Sequence, residues 1–150
     1  VALSDADRVR NLLSIYGDLV DAADFDALGE LMADARLCDE TGTPFATGAA
    51  EVTAFYRGSL RLHADGTPRT HHLVLGTRFA DPGDDADRLA CRSSYLVLHQ
   101  PDGGELRPLL TGTYDDVFAR RDGKWCFAER RMGMRLVGDL STHLRFDPTG

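Results

Sequence analysis

Two adjacent histidines, His71 and His72, open an alternating run that extends from Arg69 to Phe79. If the run is a half-buried strand, one imidazole must point inward, because successive strand side chains face opposite ways. Histidine can take and return a proton near neutrality, so an inward His72 is a candidate general base. The alternative is a core histidine satisfied by a backbone carbonyl. Asp21 closes a helical pattern, where a carboxylate meets the unfavourable end of the helix dipole. Either it belongs to a solvated acidic end with Asp18, Asp24 and Asp26, or it serves a base elsewhere. Arg130 alternates with Cys126, Ala128, Met132 and Met134 on the last strand-like run. A guanidinium keeps its proton, so burial there requires a carboxylate or an anionic substrate. His99 ends a row of Leu89, Cys91, Ser93, Tyr95 and Val97, as an acid–base group or as a polar cap beside the next turn. Tyr16, on an apolar helix face, offers a hydroxyl if the other groups converge on it. Phe55, Tyr56, Tyr95, Val97, Met132 and Met134 are expected to line a pocket for an apolar, polycyclic or aromatic substrate.

Other chemistries are disfavoured. His63, His71 and His72 lack the usual metal-ligand spacing, so no metal is expected. Ser93-Ser94 has no nucleophile-elbow context. There is no glycine-rich phosphate loop or dinucleotide fingerprint, and no cofactor is expected.

The elements that must position these groups follow from periodicity. Ser4, with Asp7 three residues later, has the shape of a helix cap. Val9, Leu12, Leu13, Tyr16, Leu19, Val20 and Ala23 then recur at helical spacing. A short second helix over 25–32 follows Asp24 as its cap, 35–40 reads as a strand, and 41–44 as a turn. A third helix over 49–60 carries Val52, Phe55, Tyr56 and Leu60 on one face. From Thr70 the period becomes two, predicting strands over 70–79, 88–99, 106–120 and 124–136. Their connections are turn-like: 81–85, 101–104, and the tight 121–124, where Asp122-Gly123 is a hairpin signal. The tail, 139–150, should be irregular. Helices followed by a strand meander predict an α+β domain with helices covering one face of a curved sheet.

With 43% hydrophobic and 27% charged residues, the 150-residue chain fits one domain over 1–150. A formal charge of −7 and a pI near 5.1 argue against nucleic acid or an anionic membrane as partner. No apolar run reaches membrane-spanning length and no leader pattern opens the sequence, so a cytoplasmic location is expected. Cys38, Cys91 and Cys126 are scattered and odd in number, which suits a reducing compartment.

The segment Tyr16-Gly17-Asp18-Leu19-Val20-Asp21-Ala22-Ala23-Asp24-Phe25-Asp26-Ala27-Leu28 resembles the opening of the SnoaL-like branch of the nuclear-transport-factor-2-like superfamily. Arg69-Thr70-His71-His72 with Gly76-Thr77-Arg78 is similar to its histidine strand, and the stretch from Gly112 to Trp125 is similar to its final hairpin. The branch includes scytalone dehydratase, hexachlorocyclohexane dehydrochlorinase and bile acid 7α-dehydratase. The resemblance implies a cone-like α+β barrel, with three N-terminal helices on a curved, mostly antiparallel sheet. It places Asp21 and His72 at the catalytic dyad, and Tyr16 at a tyrosine or lysine position. His99 falls at a second histidine, and Arg130 at a shared arginine. Val20 and Glu40 stand where scytalone dehydratase carries tyrosines, which implies a different substrate. The implied activity is a cofactor-independent lyase, dehydratase-like; the alternatives are an isomerase or cyclase, or a non-catalytic small-molecule-binding or dioxygenase β-subunit-like protein. A small-molecule ligand and a homo-oligomer are implied too, a trimer favoured over a dimer.

Overall fold

In a computed structural model, residues 1–81 and 83–149 are described. Pro82, in the turn predicted over 81–85, and Gly150, at the end of the tail, lie outside them. The element order is α1 Asp5–Asp21, α2 Phe25–Leu31, β1 Arg36–Asp39, β2 Pro44–Thr47, α3 Gly48–Ser59, β3 Thr70–Phe79, β4 Arg88–His99, β5 Arg107–Arg121 and β6 Lys124–Val137. Ser4 caps α1 by accepting the Asp7 amide at 3.2 Å, and Asp24 caps α2 by accepting that of Ala27. Helix α1 buries Val9, Leu13, Tyr16 and Val20, the predicted stripe, against the sheet.

The six strands form one sheet in the order β2-β1-β6-β5-β4-β3. All pairs are antiparallel except β1 with β6, which run parallel. The sheet does not close on itself: β2 and β3 are its edges, and the cone expected from the resemblance is completed by helices instead of by strand pairing. Strand β2 was not expected, because the predicted turn covered Pro44. A proline is tolerated there because it begins an edge strand. Among the described residues, no helix is long and apolar enough to cross a membrane.

Two of the sheet's register slips overturn the faces that strict alternation predicts. On β3 the register slips between Leu75 and Arg78, at a bulge containing Gly76 with φ 61°. Thr77 and Phe79 therefore follow His72 and Val74 inward, and Arg78 turns out. Thr77 reaches the buried Ser93 at 3.0 Å, and Phe79 packs against the core. On β6 the slip opposite Val117 and Phe118 makes Ala128 the extra residue. Trp125 and Phe127 are thus on the same inward side as Arg130, and not Cys126 and Ala128 as alternation predicts.

The tail is irregular, as predicted, but it is fastened. Its backbone bridges Leu60 through Leu144. The Arg61 amide donates to the His143 carbonyl at 2.8 Å, and the Arg145 amide to that of Ser59 at 2.9 Å.

Candidate functional site

The C-terminal turn of α1 and the first residues of β3 meet closely enough to share one carboxylate. His72 Nδ1 lies 2.6 Å from Asp21 Oδ1. The His72 amide donates to Asp21 Oδ2 at 2.8 Å, and the Thr70 hydroxyl to Oδ1 at 2.7 Å. Burial pushes the Asp21 carboxyl up, but His72 and these donors outweigh it and hold it below the usual carboxylate value. The solvated-end reading of Asp21 is excluded by these bonds. Helix and strand approach this closely because of Gly17, where an added Cβ would stand 3.1 Å from His72 Cβ.

With Nδ1 committed to Asp21, the His72 ring lines an apolar cavity of about 490 Å³ enclosed by α1, α3, the inner sheet face and the tail. All six predicted lining residues, Phe55, Tyr56, Tyr95, Val97, Met132 and Met134, contribute to its wall. Tyr16 is there too, its hydroxyl hydrogen-bonded to that of Tyr56 and 3.8 Å from Met132 Sδ. Burial pushes both phenols above their ordinary value, partly offset at Tyr16 by Arg130. Tyr95 stacks on Tyr114 with centroids 4.3 Å apart and donates to the Gly133 carbonyl at 3.1 Å. At Gly112 a Cβ would stand 1.9 Å from the Gly133 oxygen and 2.5 Å from the Tyr95 hydroxyl, so the floor is built around a missing side chain.

Two expected catalytic groups are elsewhere. Arg130 is fully buried and held bidentately by Asp116, at 2.7 and 2.8 Å, its register partner on β5. Its guanidinium carbon stands 3.7 Å from the Tyr114 ring centroid and 4.1 Å from that of Tyr16, and it does not line the cavity. Burial alone would lower its pKa; the Asp116 charge and hydrogen bonds raise it above the ordinary value. The carboxylate that its burial required is thus supplied by the protein. His99 is fully buried as well, but its Nε2 faces His63 Nε2 at 3.4 Å, outside the cavity wall. Burial, then His63, hold it below the usual imidazole value.

The sequence reading missed the tail's contribution. His143, Leu144 and Phe146 line the cavity, together with Phe45 of the unexpected β2. The three- and four-residue spacing of Leu140, His143 and Leu144 was the available sign that this segment turns one side toward the core. Among the described residues, no three His, Cys, Asp or Glu side chains are placed to share a metal ion.

A SnoaL-like domain family matches residues 1–131, and the chain belongs to that family. Similar solved structures include a nuclear-transport-factor-2-like protein with a cystatin-like fold from Novosphingobium aromaticivorans. It is 23% identical with a TM-score of 0.70, over 87% of this chain and 81% of that one. A candidate scytalone dehydratase from the same organism is 19% identical with a TM-score of 0.69, over 90% and 87%. The β subunit of a candidate aromatic-ring-hydroxylating dioxygenase, also from that organism, is 17% identical with a TM-score of 0.66, over 91% and 94%. At these identities the likeness is one of fold. No curated protein matches the sequence.

Proposed function

We propose that this SnoaL-like chain is a cofactor-independent lyase of the dehydratase kind, acting on a small, apolar, hydroxylated substrate with a fused or aromatic ring. The observation that carries this reading is the 2.6 Å contact between Asp21 and His72 in the wall of an apolar cavity. A carboxylate on Nδ1 fixes the tautomer that leaves Nε2 free to accept, and stabilises the imidazolium that results. His72 Nε2 takes the proton next to a carbonyl, whose oxygen receives the electron pair as an enolate; when the enolate collapses, that pair becomes the new carbon–carbon double bond and the bond to the β-hydroxyl breaks. The proton on His72 then passes to the departing oxygen, and water leaves. The Tyr16 hydroxyl, in the same wall, holds the leaving oxygen. Arg130 and His99 have no direct part in this scheme.

The test is a screen of hydroxy ketones and polycyclic alcohols for water loss, with wild type, His72→Ala and Asp21→Asn side by side. Turnover by wild type that both variants lose is the expected result; a His72→Ala variant with wild-type turnover on an established substrate would overturn it. An isomerase would share the first step and return the proton to carbon, and a cyclase would use the carbanion to form a carbon–carbon bond while the proton goes to the oxygen of the carbonyl attacked; either gives a product of unchanged mass.

We also propose a homo-oligomer, a trimer favoured over a dimer, supported by the exposed Leu75, Leu106 and Leu136 and tested by sedimentation equilibrium. The unpaired Cys38, Cys91 and Cys126 support a cytoplasmic location, tested by fractionation.

A further inference from the structure

The cavity holds a second imidazole besides that of His72. His143 is 5% exposed, and its backbone is fixed on both sides, its amide donating to the Leu140 carbonyl at 2.9 Å and its carbonyl accepting from Arg61 at 2.8 Å. Its ring lines the cavity, yet its Nδ1 is buried with no hydrogen-bond partner among the described residues. The ring is thus held in place by the backbone while its polar capacity is left unused. Nδ1 is walled off from any ligand, whereas Nε2 is not sealed in this way and makes no hydrogen bond within the described residues, so Nε2 is the ring nitrogen that can offer its N–H to one.

The wall has a complementary deficiency. Among the described residues, no lysine or arginine lines the cavity, since Arg130 is committed to Asp116 behind the tyrosine rings. Negative charge that develops on a carbonyl oxygen as its neighbouring carbon loses a proton must therefore be met by a neutral donor.

We propose that His143 is a catalytic residue that donates a ring N–H hydrogen bond to the carbonyl oxygen of a bound ketone, stabilising the oxyanion formed as His72 removes the neighbouring proton. This rests on the proposed function and assigns within it a role that Arg130, committed to Asp116, does not fill. The proton of that N–H stays on nitrogen throughout. Burial, and then the charges of His72, His99 and His63, push His143 down to about 3, with Asp21 acting weakly the other way. It is therefore a neutral donor near neutral pH. Two imidazoles in one cavity are divided by their surroundings: the one gripped by a carboxylate accepts a proton, and the one without an acid offers a hydrogen bond. A donor fixed beforehand in an apolar wall costs no reorganisation as the charge develops.

The experiment uses the whole chain and two probes. Tetralone, a fused-ring ketone whose one oxygen can only accept, reports the donor by calorimetric titration; a β-hydroxytetralone reports water loss. His143→Ala and His143→Phe, the second filling the space without a donor, are expected to weaken tetralone about tenfold. His143→Gln, which keeps an N–H, should stay within about threefold of wild type. His72→Ala should lose water elimination. The proposal is overturned if His143→Phe binds tetralone like wild type, if His143→Gln loses as much as His143→Phe, if wild type does not bind tetralone, or if Tyr16→Phe alone removes the affinity. If His72→Ala retained turnover, the base assignment would fall while the tetralone series still reported on His143.

Discussion

Asp21 grips His72 at two points, the ring Nδ1 at 2.6 Å and the backbone amide at 2.8 Å. One carboxylate therefore fixes both where the strand residue sits and which ring nitrogen is left free. Asp21→Asn replaces an acceptor-only group with one that can present a donor to the ring. The expected result is a fall in kcat of about 10²–10⁴-fold with a much smaller change in KM, read by steady-state kinetics on the first substrate found. A variant keeping more than about a tenth of wild-type kcat would show that the carboxylate is dispensable.

His143 predicts a pH dependence of stability. Its pKa is lowered from the ordinary 6.5 to about 3 on folding, so between those values the unfolded chain binds a proton that the folded chain does not. Stability from this group is complete above 6.5 and is lost as pH falls toward 3, by up to about 1.4 kcal/mol per pH unit. His143→Gln should be less sensitive than wild type when urea midpoints are compared near pH 7 and near pH 5. In that range Asp21, whose carboxyl lies below 3.8, still contributes in full. Equal losses in the two proteins would show that the ring is not held neutral.

Arg130 predicts a change in stability more than in chemistry. The ion pair with Asp116 is fully buried on both sides, so Arg130→Met leaves a carboxylate without its partner, at a cost of about 3–5 kcal/mol. Adding Asp116→Leu should restore much of that loss, since a buried pair exchanged for apolar groups is often neutral. Chemical denaturation of the two variants decides it: a single variant no less stable than wild type, or a double variant no better than the single, contradicts the pair's role.

Gly17→Ala sets two effects against each other. Alanine in a helix interior gains about 1 kcal/mol over glycine, but its Cβ would press on His72 Cβ at 3.1 Å. The helix gain offsets the contact, so the urea midpoint should move little, while His72 shifts relative to Asp21 and turnover falls at least about tenfold. Unchanged turnover would mean that the helix yields without disturbing the dyad.

Much of this arrangement was legible in the sequence. The α1 stripe, the histidine strand and the Asp122-Gly123 hairpin are local signals, and each of these elements forms where its pattern lies. The pairing of Asp21 with His72 agrees with the resemblance, and the geometry brings the two together. What was hidden depends on register. The bulge at Ala128 cannot be seen in an alternation count, so the partner of Arg130 stayed unknown until β5 set Asp116 opposite it. His99 faces inward as its row suggested, but the cavity ends before reaching it. Strand β2 was hidden by its proline, and His143 by a tail whose fastening is long-range and backbone-mediated.

The family match stops at residue 131, while Met132, Met134, His143, Leu144 and Phe146 of the cavity wall all come later. Six of the chamber's wall residues thus lie beyond the matched segment, while the other thirteen, His72 among them, lie within it together with Asp21. Substitutions in that short C-terminal stretch can therefore reshape one side of the chamber with the proton-handling pair left untouched.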